Sequence, residues 1–182
     1  MEVLTKAELS KRYDEILSKI RKGAVFIHPS DTIYGLGCLA TSETAVQRIR
    51  NLKQQFHQPL SIWVPSLDWV QQHCVVEEEL LLKLPGPFTL VLKMKDTTIP
   101  VMVTLGQKTI GIRLPDHWLC KLVEDLETPI ITTSANKTGK PFMTCLEDLD
   151  MDIVKGIDFM IYEGEKKARP SKIIVEGSVK ER

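Results

Sequence analysis

Apolar residues recur at two different spacings along this chain, and the two spacings alternate. Leu9, Tyr13, Ile16, Leu17 and Ile20 stand three or four apart behind Thr5 and Glu8 in a capping-box pattern. That predicts a helix, with Gly23 as its stop. AVFIH (24–28) then reads as a short buried strand. Ala45, Val46, Ile49 and Leu52 predict a helix starting near Ser42, and PLSIWV (59–64) the next strand. Short helices are expected over 66–73 and 77–84. Pro85-Gly86-Pro87 breaks the pattern, and FTLVLK (88–93) resumes it as a strand. The stretch 96–108 has no clean period and reads as an ordered loop. TIGIRLP (109–115) is a strand ended by Pro115, after which Asp116 is expected to cap a helix that turns Leu119, Leu122, Val123 and Leu126 inward. PIITT (129–133) runs into Ser134-Ala135-Asn136. Thr144 and Glu147 form a second capping-box pattern, and DFMIY (158–162) and KIIVE (172–176) are late strands. Alternating strands and helices predict an α/β fold. The strands at 88–93 and 109–115 have no helix between them, so the sheet should be mixed rather than doubly wound.

The length, 182 residues, suits one domain spanning 1–182 with a real core, and no repeat, low-complexity tract or linker divides it. No apolar run reaches the length of a membrane span, and the charged start lacks the apolar centre of a signal peptide. A cytoplasmic protein without membrane contact is therefore expected. The four cysteines form no C-x-x-C pair and read as buried free thiols; the four histidines form no ligand pair, so no metal site is expected. Net charge is zero, yet Lys166, Lys167, Arg169 and Lys172 cluster late, and Arg48, Arg50 and Lys53 share one predicted helix. Local basic patches on a neutral protein suit a small anionic ligand better than a long duplex.

One stretch carries a partial nucleotide signature. In HPSDTIYGLGCLA (28–40), Gly35, Gly37 and Ala40 match G-x-G-x-x-G/A. A dinucleotide site needs the strand to enter the first glycine directly, and an acid about 20 residues on. Here Pro29 to Tyr34 intervene, and 44–67 holds no acid. The glycines read instead as a turn that lets the backbone pack closely. Three other loops at strand ends carry hydroxyls or amides beside a fixed charge: Thr109 to Arg113, Thr132 to Asn136, and Arg169 to Ser171. Arg113, flanked by Ile112 and Leu114, needs an anionic partner, either a ligand carboxylate or phosphate or an internal acid.

In this order, HPSDTIYGLGCLA, LKQQFHQPLSIWV, LPGPFTLVLK, TIGIRLPDH, PIITTSANKTGKP and RPSKIIV resemble the YrdC/Sua5 family of threonylcarbamoyl-AMP synthases over about residues 10 to 176. The chain ends as the short YrdC-type members do. The resemblance implies a YrdC-like twisted sheet of parallel and antiparallel strands with flanking helices and a concave basic cleft. It implies that L-threonine, bicarbonate (or CO2) and ATP give threonylcarbamoyl-AMP and pyrophosphate, with Mg2+ accompanying ATP, as the first step of t6A modification of tRNA. The implied partners are a downstream threonylcarbamoyl transferase and a tRNA or RNA contact. By family position Thr32, Arg113, Thr132 and Ser171 would bind threonine. Lys53, Gln55, Gln58, Thr109, Ser134, Asn136 and, loosely, Arg182 would serve ATP. No catalytic side chain is identified, because in-line attack of threonine carbamate on the α-phosphorus needs positioning and charge rather than a nucleophile.

The chain departs from the family pattern where a K-x-R arginine is replaced by Gln55, one residue closer to Pro59-Leu60. Arg48, Arg50 or Lys172 would be the sources of compensating charge. Trp63 stands where a histidine is usual, and Phe142 where a small polar residue is usual. Two other readings follow: a divergent paralogue of the same fold that binds a nucleotide or acyl-adenylate, and an RNA-binding module.

Overall fold

A computed structural model describes residues 1–175 and 178–180. The strands fall into two mixed sheets. In one, β1 (Glu2–Leu4), β10 (Phe159–Ile161) and β2 (Phe26–His28) run parallel, and β3 (Gly35–Gly37) and β9 (Thr133–Ser134) continue the sheet antiparallel. In the other, the order is β12 (Ser178–Lys180), β11 (Lys172–Val175), β6 (Phe88–Met94), β7 (Thr109–Arg113), β4 (Ile62–Trp63) and β8 (Ile130–Ile131), with β5 (Cys74–Val75) beside β6. The α/β class and the mixed pairing agree with the sequence pattern: β6 and β7, which lack an intervening crossover, pair antiparallel with Leu90 opposite Ile112. One cluster of buried side chains, including Phe26, Tyr34, Trp63, Ile112 and Phe159, runs through both sheets.

The helices are α1 (Lys6–Lys11), α2 (Tyr13–Arg21), α3 (Glu43–Lys53), α4 (Leu67–His73), α5 (Glu78–Leu81), α6 (Val101–Thr104), α7 (Cys120–Leu126) and α8 (Met151–Gly156). Their differences from expectation have local causes. The first helix is broken at Arg12, whose side chain reaches Glu2 and Glu15. Thr5 and Glu8 do form the reciprocal cap, and Gly23 takes the positive φ that ends α2. Residues 101–104 make a helical turn inside the expected loop, and α5 covers only part of 77–84. Asp116 does not cap α7, which starts at Cys120; its backbone N–H donates instead to Asp31. The Thr144–Glu147 box is replaced by Asp148, whose carboxylate accepts from the N–H and hydroxyl of Thr144 and from Cys145. Those bonds hold the Asp148 carboxyl down to a pKa of about 2.

Two details place the site. The strand expected over 129–133 splits at Thr132, where the chain leaves β8 in one sheet and enters β9 in the other. The glycines of the opening motif sit in a strand, not a turn. A Cβ on Gly35 would lie 2.9 Å from two ring atoms of His28, and one on Gly37 2.9 Å from a third. Both positions therefore demand glycine because the buried His28 ring lies across β3.

Candidate functional site

The loop between β2 and β3 is fixed by Ser30. Its hydroxyl donates to the Ile33 carbonyl at 2.8 Å, accepts from the Thr32 N–H at 3.2 Å and lies 3.1 Å from Thr32 Oγ1. This turn presents Thr32 to the last residue of β7. Arg113 donates from Nη1 to Thr32 Oγ1 at 3.2 Å and from Nη2 to Asp31 Oδ1 at 2.6 Å. The partner that the arginine required is thus Asp31, a residue not singled out in the sequence although it directly precedes Thr32. Ser171, just ahead of β11, lies 2.8 Å from Thr89 of β6, and Thr132 donates its N–H to the Ser61 carbonyl. Thr32, Arg113, Thr132 and Ser171, buried polar residues from four separate segments, line one small cavity of about 20 Å³.

A larger cavity of about 510 Å³ adjoins it, and the two share Ser61, Thr132, Thr133 and Ser134 as a wall. Lys53, Gln55, Gln58, Thr109, Ser134 and Asn136 all line the larger one. Gly111 also lines it, and a Cβ there would meet Ser61 Oγ at 2.5 Å, so the close approach of Ser61 requires glycine. Lys53 is buried, and its ammonium donates to the carbonyls of Ser134 at 2.6 Å and Asn136 at 2.9 Å and to Asn136 Oδ1 at 3.2 Å. It therefore braces the Ser134-Ala135-Asn136 loop, which Ser134 Oγ also tightens by donating to Asn136 Oδ1.

The sources of charge expected to replace the family arginine lie elsewhere. Arg50 is buried and donates to the carbonyls of Met102, Gln55, Gln58 and Val103 at 2.8–3.2 Å. It organises the 54–60 segment without entering the cavity. Arg48 turns to the Gly156 carbonyl and Asp158. Lys172 is exposed and is not among the lining residues. Arg182 lies outside the described residues.

Sequence reasoning also missed a polar cluster beside the small cavity. Glu163 accepts from Trp118 Nε1 at 2.6 Å, pairs with His117 Nε2 at 3.0 Å and with Lys166. Burial raises its carboxyl, but the bonds from Lys166, His117 and Trp118 outweigh that and hold it below the ordinary range. Burial lowers His117, and it drives the enclosed His28 ring down to about 3, so His28 is neutral. These residues carry no motif spacing; only Lys166 was visible, as part of a charge run. Among the described residues no group of three His, Cys, Asp or Glu side chains is placed to hold a metal, and no helix is long and apolar enough to cross a membrane.

Fold and cavities together define an α/β protein with two adjoining polar pockets, one large enough for a nucleotide. The chain belongs to the Sua5/YciO/YrdC family, whose model, described as "Telomere recombination", matches residues 18–181. A threonylcarbamoyl-AMP synthase of Haemophilus influenzae (strain PittEE) is 31% identical over 159 residues, 82% of this chain and 85% of that protein. A threonylcarbamoyl-AMP synthase of Pyrococcus abyssi is 35% identical, covering 86% of this chain, which spans only 48% of that relative's length. The crystal structure of P. abyssi Sua5 complexed with L-threonine superposes with a TM-score of 0.85 at 31% identity, over 97% of this chain and 54% of that one.

Proposed function

We propose that this chain is a threonylcarbamoyl-AMP synthase. The observation that carries the reading is the shared wall of the two cavities, which sets a guanidinium-lined pocket beside a nucleotide-sized one. Threonine would bind on the small-cavity side, its polar groups on Thr32, Thr132 and Ser171 and its carboxylate on Arg113, exchanging with or adding to the Thr32 and Asp31 contacts that Arg113 makes here. ATP would occupy the larger cavity against Thr109, Gln55, Gln58, Ser134 and Asn136, with Lys53 holding the loop that carries the last two. Threonine carbamate, formed from CO2, or from bicarbonate with loss of water, then attacks the α-phosphorus where the two cavities meet, and pyrophosphate leaves. The reaction is a nucleotidyl transfer, and its catalysis is positioning and donation to the developing charge.

Mg2+ would arrive on the triphosphate, where it neutralises the leaving group. The lining residues offer it hydroxyls and amides rather than a carboxylate cage. The product would pass to a threonylcarbamoyl transferase acting on tRNA in the cytoplasm. Pyrophosphate release from ATP tests the proposal: it should require both threonine and bicarbonate. Arg113→Ala should weaken the threonine dependence at least tenfold, since a charge-assisted fork is lost. Release without that dependence would point to a divergent nucleotide-binding paralogue, and RNA binding with no turnover to an RNA-binding module.

A further inference from the structure

We propose that the 162–171 segment is a strap that opens to admit threonine, and that Lys166 is the positioning residue that latches it shut. This rests on the reading of the small cavity as the threonine pocket. That cavity, at about 20 Å³, has room for about one water. An amino acid does not fit within that space as the walls stand. Part of the wall is sheet, with Gly35 in β3, Arg113 at the end of β7 and Thr133 and Ser134 in β9, and Thr32 to Tyr34 belong to the turn that Ser30 pins. Pro170 and Ser171, by contrast, belong to a connection without regular structure that crosses from β10 in one sheet to β11 in the other.

Lys167, Ala168 and Arg169 on this connection are exposed, and Gly164 has a φ of +100°. Its ends are packed, Tyr162 stacking on Tyr34 and buried Ser171 meeting Thr89. Between them polar contacts, those of Glu163 with His117 and Trp118 included, pin it rather than an apolar face, so its local opening should cost less than unfolding. Tyr34 Oη donates to the Gly164 carbonyl at 2.6 Å and accepts from the Glu163 N–H at 3.1 Å. Lys166 makes the tie to the substrate loop. Its ammonium donates to the Ser30 carbonyl at 2.7 Å and to Glu163, while its N–H donates to the Thr144 carbonyl at 2.9 Å. Ser30 in turn sets the position of Thr32. One side chain therefore joins the strap to the turn that presents Thr32. Closure behind threonine would shield its carbamate, which is short-lived in water.

Hydrogen exchange of the 163–171 amides and steady-state pyrophosphate release test this on the full chain and on Lys166→Met and Lys166→Arg variants. Threonine should slow exchange of the strap in the wild type. Lys166→Met should speed strap exchange without threonine and raise KM for threonine about tenfold, leaving KM for ATP unchanged. Lys166→Arg should recover most of both effects, because it can still donate to the Ser30 carbonyl. Strap exchange indifferent to threonine in a wild type that turns over would overturn the gate, and a Lys166→Met strap that exchanges as the wild type does would overturn the latch. Absence of threonine-dependent turnover in the wild type would instead defeat the functional reading, with the exchange of Lys166→Met still deciding the latch.

Discussion

Arg50→Met separates a scaffolding cation from a substrate-binding one. The guanidinium is buried and satisfies four backbone carbonyls, two of them on the segment that brings Gln55 and Gln58 to the larger cavity. Methionine fills much of the same volume but donates nothing. An acceptor left without a donor costs about 1–3 kcal/mol when buried, and water will reach some of the four once the side chain changes. The Val103 carbonyl keeps the Leu60 N–H as a donor, so three carbonyls lose theirs; taking about 1 kcal/mol for each gives a loss of about 3 kcal/mol, a large part of the stability of an ordinary domain. With a urea m-value of about 2 kcal/mol/M, the denaturation midpoint should fall by about 1.5 M at unchanged m. Because the 54–60 segment loses its anchor, KM for ATP should rise more than KM for threonine. A midpoint shift below about 0.5 M would show that these carbonyls are already solvated and would refute the reasoning.

Three further outcomes follow from the same geometry. Gly35→Ala should cost about 2 kcal/mol, a fall of roughly 4–8 °C in Tm, because its Cβ meets a His28 ring that Phe26 and Trp63 enclose; an unchanged Tm would mean that the ring can move. His28 is held neutral when folded, with a pKa lowered to about 3, so the unfolded chain alone takes up its proton below about pH 6.5. Stability from this group is complete above that pH and is lost at up to about 1.4 kcal/mol per unit as pH falls toward 3; urea titrations should show that slope reduced in His28→Gln. Gln55→Arg should leave ATP turnover equal or higher, since neither Arg48 nor Arg50 lines the cavity; a large loss in the pyrophosphate assay would mean that the segment has been rebuilt around glutamine.

The local spacings made much of the fold legible. Alternating periods announced α/β, the lack of a helical period between 88–93 and 109–115 announced a mixed sheet, although the short α6 lies there, and loops at strand ends announced where polar residues would gather. The residues expected for threonine and ATP line two adjoining cavities, Thr132 and Ser134 facing both, apart from Arg182, which is not described. What spacing could not show is which group satisfies each buried charge. Lys53 finds its acceptors 81 and 83 positions along the chain, and Arg113 finds Asp31 82 positions away.

By itself, then, the sequence determined most of the longer elements and the residues available for chemistry, because burial periodicity and turn chemistry are local properties of neighbouring residues. Only the tertiary structure decided that the 129–133 strand divides at Thr132 between two sheets, that Arg50 and Lys53 brace backbone, and that Gly35 and Gly37 make room for a histidine ring. Each depends on segments far apart in sequence packing within hydrogen-bond or van der Waals distance, and no pattern within one segment records which partner it will meet.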